Sequence, residues 1–112
     1  MDLDFKEKFK DSYTKIITIG EAYAEAKGQS WQAQELKGAI LASLIKAQND
    51  LPISKAEVIA KASDEYREYI TQTASAITKE LCLKAQYEAE KARFEAYRSL
   101  SSLEKSTRNI TG

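Results

Sequence analysis

The side chains able to do chemistry are a scatter of carboxylates, one thiol and a mixed basic and aromatic run. Glu57, Glu80, Glu90, Glu95 and Glu104 stand at helical spacing, as the carboxylates of a bundle-borne metal site would. Such sites also draw histidine from E-x-x-H turns, and the chain contains no histidine. Each of these glutamates instead has a base three or four residues on. The pairs are Glu57–Lys61, Glu80–Lys84, Glu104–Arg108, Glu90–Arg93 and Glu95–Arg98. That spacing reads as a solvated helix face rather than a ligand set. No metal or other cofactor is expected.

Cys82 is the one cysteine, set between Leu81 and Leu83. A nucleophilic thiol needs a base, usually histidine, so a small packed or partly exposed side chain is the better reading. One cysteine allows no internal disulfide, which fits a reducing compartment. Gly-rich phosphate loops, G-x-S-x-G and nucleotide fingerprints are all absent from the sequence. No residue is assigned a catalytic role, and an enzyme is not expected.

Nucleic acid could be met by Lys84, Lys91, Arg93, Arg98, Lys105 and Arg108, with Tyr87, Phe94 and Tyr97 as stacking groups. Glu88, Glu90, Glu95 and Glu104 interrupt that run, and its aromatics fall on a helical stripe, so packing is the preferred explanation. Trp31 is the lone tryptophan; it could pack on a neighbouring helix or serve as a partner hot spot. The candidate partner interface is therefore Trp31, Tyr87, Arg93, Phe94, Tyr97 and Arg98.

The elements that would hold these side chains are helices. Low Gly and Pro content with 43% apolar and 30% charged residues favours helix throughout. Phe5, Phe9, Ile16, Ile19, Tyr23, Ala26, Ala33, Ile40, Leu44 and Ala47 follow a heptad, interrupted at Ser12, Ser30 and Lys37. The first arm is read as about 3–49. Gly28-Gln29-Ser30 could break it, since Gly can end a helix and Ser can cap the next, although the periodicity continues on both sides.

Pro52 is the only proline and marks a turn over 50–54. Ser54 with Glu57 forms an S-x-x-E capping box, and Ile53 with Val58 a hydrophobic staple, so a second arm is expected over about 55–107. Its apolar stripe is read as Ile59, Ala62, Tyr66, Ile70, Thr73, Ile77 and Leu81, then Ala85, Ala89, Ala92 and Ala96. A tail over 108–112 should fray. The fold expected is all-α, a single long antiparallel helical hairpin, coiled-coil-like. One partner arm cannot cover both stripes, so two hairpins are expected to assemble into a dimeric four-helix bundle.

Charge and targeting narrow the partners. The 17 basic and 17 acidic residues cancel and are spread along the chain, so nucleic acid is not favoured. Met1-Asp2-Leu3-Asp4-Phe5 lacks a signal-peptide core, and no run reaches membrane-span length. Asn109-Ile110-Thr111 matches a glycosylation acceptor and is read as chance. A cytoplasmic protein is expected.

Tyr87-Glu88-Ala89-Glu90-Lys91-Ala92-Arg93-Phe94-Glu95-Ala96-Tyr97-Arg98-Ser99-Leu100, running on to Glu104-Lys105-Ser106-Thr107-Arg108-Asn109, resembles the C-terminal signature of small, uncharacterised bacteriophage and prophage helical-hairpin proteins. Ala22-Tyr23-Ala24-Glu25-Ala26 and Ala62-Ser63-Asp64-Glu65-Tyr66 agree more loosely. The resemblance implies an accessory protein in the cytoplasm of a bacterial host, encoded near recombination or replication functions. It would act as a scaffold or helper on a phage or host protein of DNA metabolism. Two other readings stay open: a nucleic-acid-binding accessory using residues 84–108, and an inhibitor of a host defence or repair enzyme.

Overall fold

A computed structural model describes the backbone of residues 3–111 and the side chains of residues 4–108. Met1-Asp2, the side chains of the Asn109-Ile110-Thr111 match and Gly112 lie outside the described residues. The described chain is all-helical. α1 spans Leu3–Lys46, α2 Ile53–Ala62 and α3 Asp64–Thr111. The helix is unbroken through Gly20, Gly28 and Gly38, so the expected weak point at 28–30 is not a break.

Contacts divide the chain into two compact units, one from Met1–Ala24 with Leu81–Gly112 and one from Glu25–Glu80. In the first unit α1 and α3 run antiparallel, since the contact pairs step in opposite directions. Phe5 meets Tyr97 edge-on at 5.5 Å, Phe9 meets Phe94 at 5.1 Å and Tyr23 meets Tyr87 at 5.9 Å. Each such aromatic pair contributes about 0.5–1.5 kcal/mol beyond its buried area. Gly20 lets the Tyr87 ring come close: a Cβ there would meet Cε2 at 3.2 Å.

In the second unit the buried apolar side chains are Ala26, Ala56 and Ala60, so the helices approach over small residues. Tyr69 donates its hydroxyl hydrogen bond to the Ala33 carbonyl, tying α3 to α1. Ser30 is fully buried, with its hydroxyl oxygen accepting from Gln34 Nε2 at 3.0 Å.

The α1 heptad holds at two of its three interruptions, while Lys37, the third, is exposed. Ser12 and Ser30, the polar positions in the seam, are 2% and 0% exposed. The α3 stripe needs correction. Ala85, Ala89, Ala92 and Ala96 are all exposed, as are Ala62 and Leu81. Tyr66, Ile70, Thr73 and Ile77 keep the inward places expected of them, and the inward row continues through Glu80, Leu83, Tyr87, Glu90, Phe94, Tyr97 and Glu104, with Tyr69 and Ala76 beside its start. Each of the four alanines stands two positions after a residue of this row, about 200° around the helix, and so faces away from it.

The second arm is not one helix from about 55 to 107. It breaks at Ser63, whose extended backbone (φ −69°, ψ 151°) ends α2 and begins α3. Ser63 Oγ accepts from the Tyr66 amide at 3.2 Å and donates to the Ala60 carbonyl at 2.6 Å. Asp64 and Glu65 follow in the first turn, where the helix dipole favours acids.

The capping box at Ser54 is likewise corrected. α2 starts two residues earlier, at Ile53, with Pro52 as its cap and no side-chain cap bond. The Pro52 carbonyl accepts from the Ala56 amide at 2.9 Å, which places Ser54 inside the first turn rather than before it. The staple does not close either, because Ile53 and Val58 are 79% and 69% exposed. α1 ends at Lys46, and the chain then turns through amide bonds from Gln48 to the Ile45 carbonyl and from Leu51 to the Gln48 carbonyl. At the far end α3 stays helical to Thr111, beyond the point where fraying is expected. Thr107 Oγ1 bonds the Leu103 carbonyl there, and Arg108 bonds Glu104.

Candidate partner-binding surface

Six residues are candidates for a partner interface, and the structure treats them in two ways. Tyr87, Phe94 and Tyr97 belong to the aromatic row between α1 and α3 and are half-buried. Phe94 lies against both Phe9 and Tyr13, and Tyr97 against Phe5. A ring held by α1 has little face left to stack on a base. Arg93 and Arg98 lie on the exposed side of α3, beside Glu90 at 3.6 Å and Glu95 at 3.8 Å. The Glu95–Arg98 pair is exposed on both sides and contributes little to stability, whereas the Glu90 carboxylate is buried.

Trp31 is different. It belongs to the second unit, projects from α1 and is 64% exposed. It lines a shallow groove of about 200 Å³ with Lys27, Gln34, Glu35 and Glu80. Glu80, expected to pair with Lys84 on the solvent face, here takes an inward position at the groove edge.

A second apolar surface, which the sequence reading placed inside a closed turn, surrounds α2. Leu51, Val58 and Ile59 form a depression with Ser54 and Lys55. The signal for it lies in the apolar residues Leu51, Ile53, Val58 and Ile59, whose spacing also suits a staple from Ile53 to Val58 and an inward place for Ile59. In the first unit Leu100 and Leu103 are 51% and 64% exposed beside Phe5.

Lys61 has its pKa raised because Glu57 accepts a hydrogen bond from its ammonium at 2.9 Å and adds Coulombic attraction. Cys82 is exposed. Glu90 is buried, but its two oxygens take Ser12 at 2.9 Å and Arg93 at 3.6 Å. Among the described residues no buried side-chain polar atom lacks a partner, and no cluster of three or more His, Cys, Asp or Glu could hold a metal ion. Among them also, no helix is long and apolar enough to cross a membrane.

The all-helical fold and an exposed tryptophan define only a class, a helical protein with open apolar faces. Comparison with known proteins adds no family: no family model, curated protein or solved structure matches the chain.

Proposed function

We propose that this chain is a non-enzymatic accessory protein that works by protein–protein interaction. One observation carries the reading. Among the described residues the fully buried apolar side chains are three alanines, while eleven large apolar side chains are exposed. Single exposed apolar residues are ordinary, but contiguous ones mark interaction surfaces. Leu51 of the turn is contiguous with Val58 and Ile59 of α2, and Phe5, Leu100 and Leu103 are contiguous in the first unit. Covering such patches is worth about 25 cal/mol per Å² of apolar area. Self-association is the simplest way to cover them, with a dimeric four-helix bundle as the favoured assembly.

The resemblance of residues 87–109 to phage and prophage proteins supplies the context proposed: a scaffold or helper in phage DNA recombination or replication, in the cytoplasm of a bacterial host. An inhibitor of a host defence or repair enzyme would use the same surfaces, in a tight one-to-one complex.

Affinity capture from phage-infected bacterial lysate tests the reading, with a control chain carrying polar residues at Leu51, Val58, Leu100 and Leu103. Enrichment of proteins of DNA metabolism by the native chain, lost in the control, is expected. Equal recovery by both chains would sink it. Anisotropy with labelled DNA and RNA is expected to stay flat. Binding that weakens steeply with salt would replace the reading with a nucleic-acid-binding one.

A further inference from the structure

Resting on the reading of an interaction protein, the face around Trp31 identifies one partner by its charge order. Lys27 lies one turn before Trp31 and Glu35 one turn after, four residues each way on the same side of α1. All three line one groove. Among the described residues neither Lys27 nor Glu35 takes part in an ion pair. Gly28 beside them leaves room, since a Cβ there would meet nothing within 4 Å.

A positive charge, an exposed indole and a negative charge at equal intervals form a self-complementary surface. In an isologous dimer residue i of one copy meets residue j of the other, and j meets i. Two α1 helices crossing antiparallel about a two-fold axis at Trp31 would set each Lys27 opposite the other copy's Glu35. Both pairs would form at once, and the two indoles would meet at the axis. Gly28 would fall opposite Gln34 of the other copy, where the missing side chain gives the longer one space. A parallel crossing would put Lys27 against Lys27 and Glu35 against Glu35, which like-charge repulsion opposes. We infer that the Trp31 face of α1 is the site where a second copy of this chain binds, antiparallel, with Trp31 as its central anchor.

The experiment uses the full chain and its Lys27→Glu, Glu35→Lys, Lys27→Glu/Glu35→Lys and Trp31→Ala variants, each checked for native helix content by circular dichroism. Sedimentation equilibrium is expected to give a dimer for the native chain. Each single reversal creates two like-charge contacts and weakens the dimer by roughly tenfold, while the double reversal returns it to within about threefold of native. Trp31→Ala weakens it by about a hundredfold, the behaviour of a central hot spot. Because Trp31 is the only tryptophan, its emission reports this site alone. It should shift to the blue and resist acrylamide quenching as concentration rises.

Reversals that do not rescue one another overturn the antiparallel pairing. A dimer unchanged in Trp31→Ala, with emission independent of concentration, overturns the surface yet leaves the interaction reading standing on its other apolar patches. A native chain that stays monomeric overturns the inference, and the lysate capture then decides the broader reading by itself.

Discussion

Ser12 of α1 donates a 2.9 Å hydrogen bond to Glu90 of α3, a buried contact between residues 78 positions apart. A polar pair among the aromatic and aliphatic side chains of this seam fixes which residues face each other. Sliding the helices by one turn would bury the Glu90 carboxylate against apolar groups. Single polar residues in coiled-coil seams set register in the same way, at a cost in stability.

Ser12→Ala therefore removes the partner of a buried charge, leaving only Arg93 at 3.6 Å. A loss of about 1.5–3 kcal/mol is expected. Ser12→Ala/Glu90→Leu should be near neutral or more stable than the native chain, since replacing a whole buried polar pair with apolar groups often is. Urea unfolding of the four chains of this cycle checks both outcomes.

Ser63→Ala should cost about 1 kcal/mol, because it removes the oxygen that accepts the Tyr66 amide at the start of α3. Ser54→Ala should stay within about 0.5 kcal/mol of native, since Ser54 makes no cap and is exposed. Thermal melts of the two variants separate these positions. Equal losses would contradict the break at Ser63.

Gly38→Ala should stabilise the chain by about 0.5–1 kcal/mol, with helix propensity gained and open space above the new methyl. Gly20→Ala should gain clearly less or lose stability, because the methyl meets the Tyr87 ring at 3.2 Å. Denaturant midpoints of the pair test the difference.

The exposed Glu57–Lys61 pair sets a direction with pH. The folded-state pKa of Lys61 lies above its ordinary 10.5, so the pair's contribution is complete below that value and is lost as pH rises through the folded one. Stability from this pair should be constant up to about pH 9 and should fall above it. Glu57→Gln should flatten that part of the profile, as read by melts across the alkaline range.

The sequence carried α1 well and α3 poorly, for identifiable reasons. Along α1 apolar residues occupy most seam positions, so Ser12, Ser30 and Lys37 stand out as interruptions, and the frame survives at the two serines while Lys37 is exposed. Along α3 the seam itself holds Thr73, Glu80, Glu90 and Glu104, while the small apolar Ala85, Ala89, Ala92 and Ala96 lie outside it. Hydrophobicity then points to the wrong row, and only the partner helix reveals why Glu90 turns inward. Near the turn, two serines could each cap a helix. Ser54 has the fuller motif, but Pro52 supplies a helix start two residues before it. Of the interface candidates, the packing of Tyr87, Phe94 and Tyr97 is legible from their helical stripe, although the rings that meet them lie more than sixty residues away. The exposure of Trp31 is not, because its neighbours on α1 include both the buried Ser30 and the exposed Glu35.

The antiparallel contacts also impose an order in time. Tyr69 and Ala33 close a loop of 36 residues, and Ser12 and Glu90 one of 78, a difference in closure entropy of about 0.7 kcal/mol. During synthesis the gap widens, since Phe5, Phe9, Ile16 and Ile19 leave the ribosome long before Tyr87, Phe94 and Tyr97 exist to cover them. The first stretch to be made is thus the last to be buried. Until α3 is made, the rings and isoleucines of α1 form a greasy stripe with nothing to cover it.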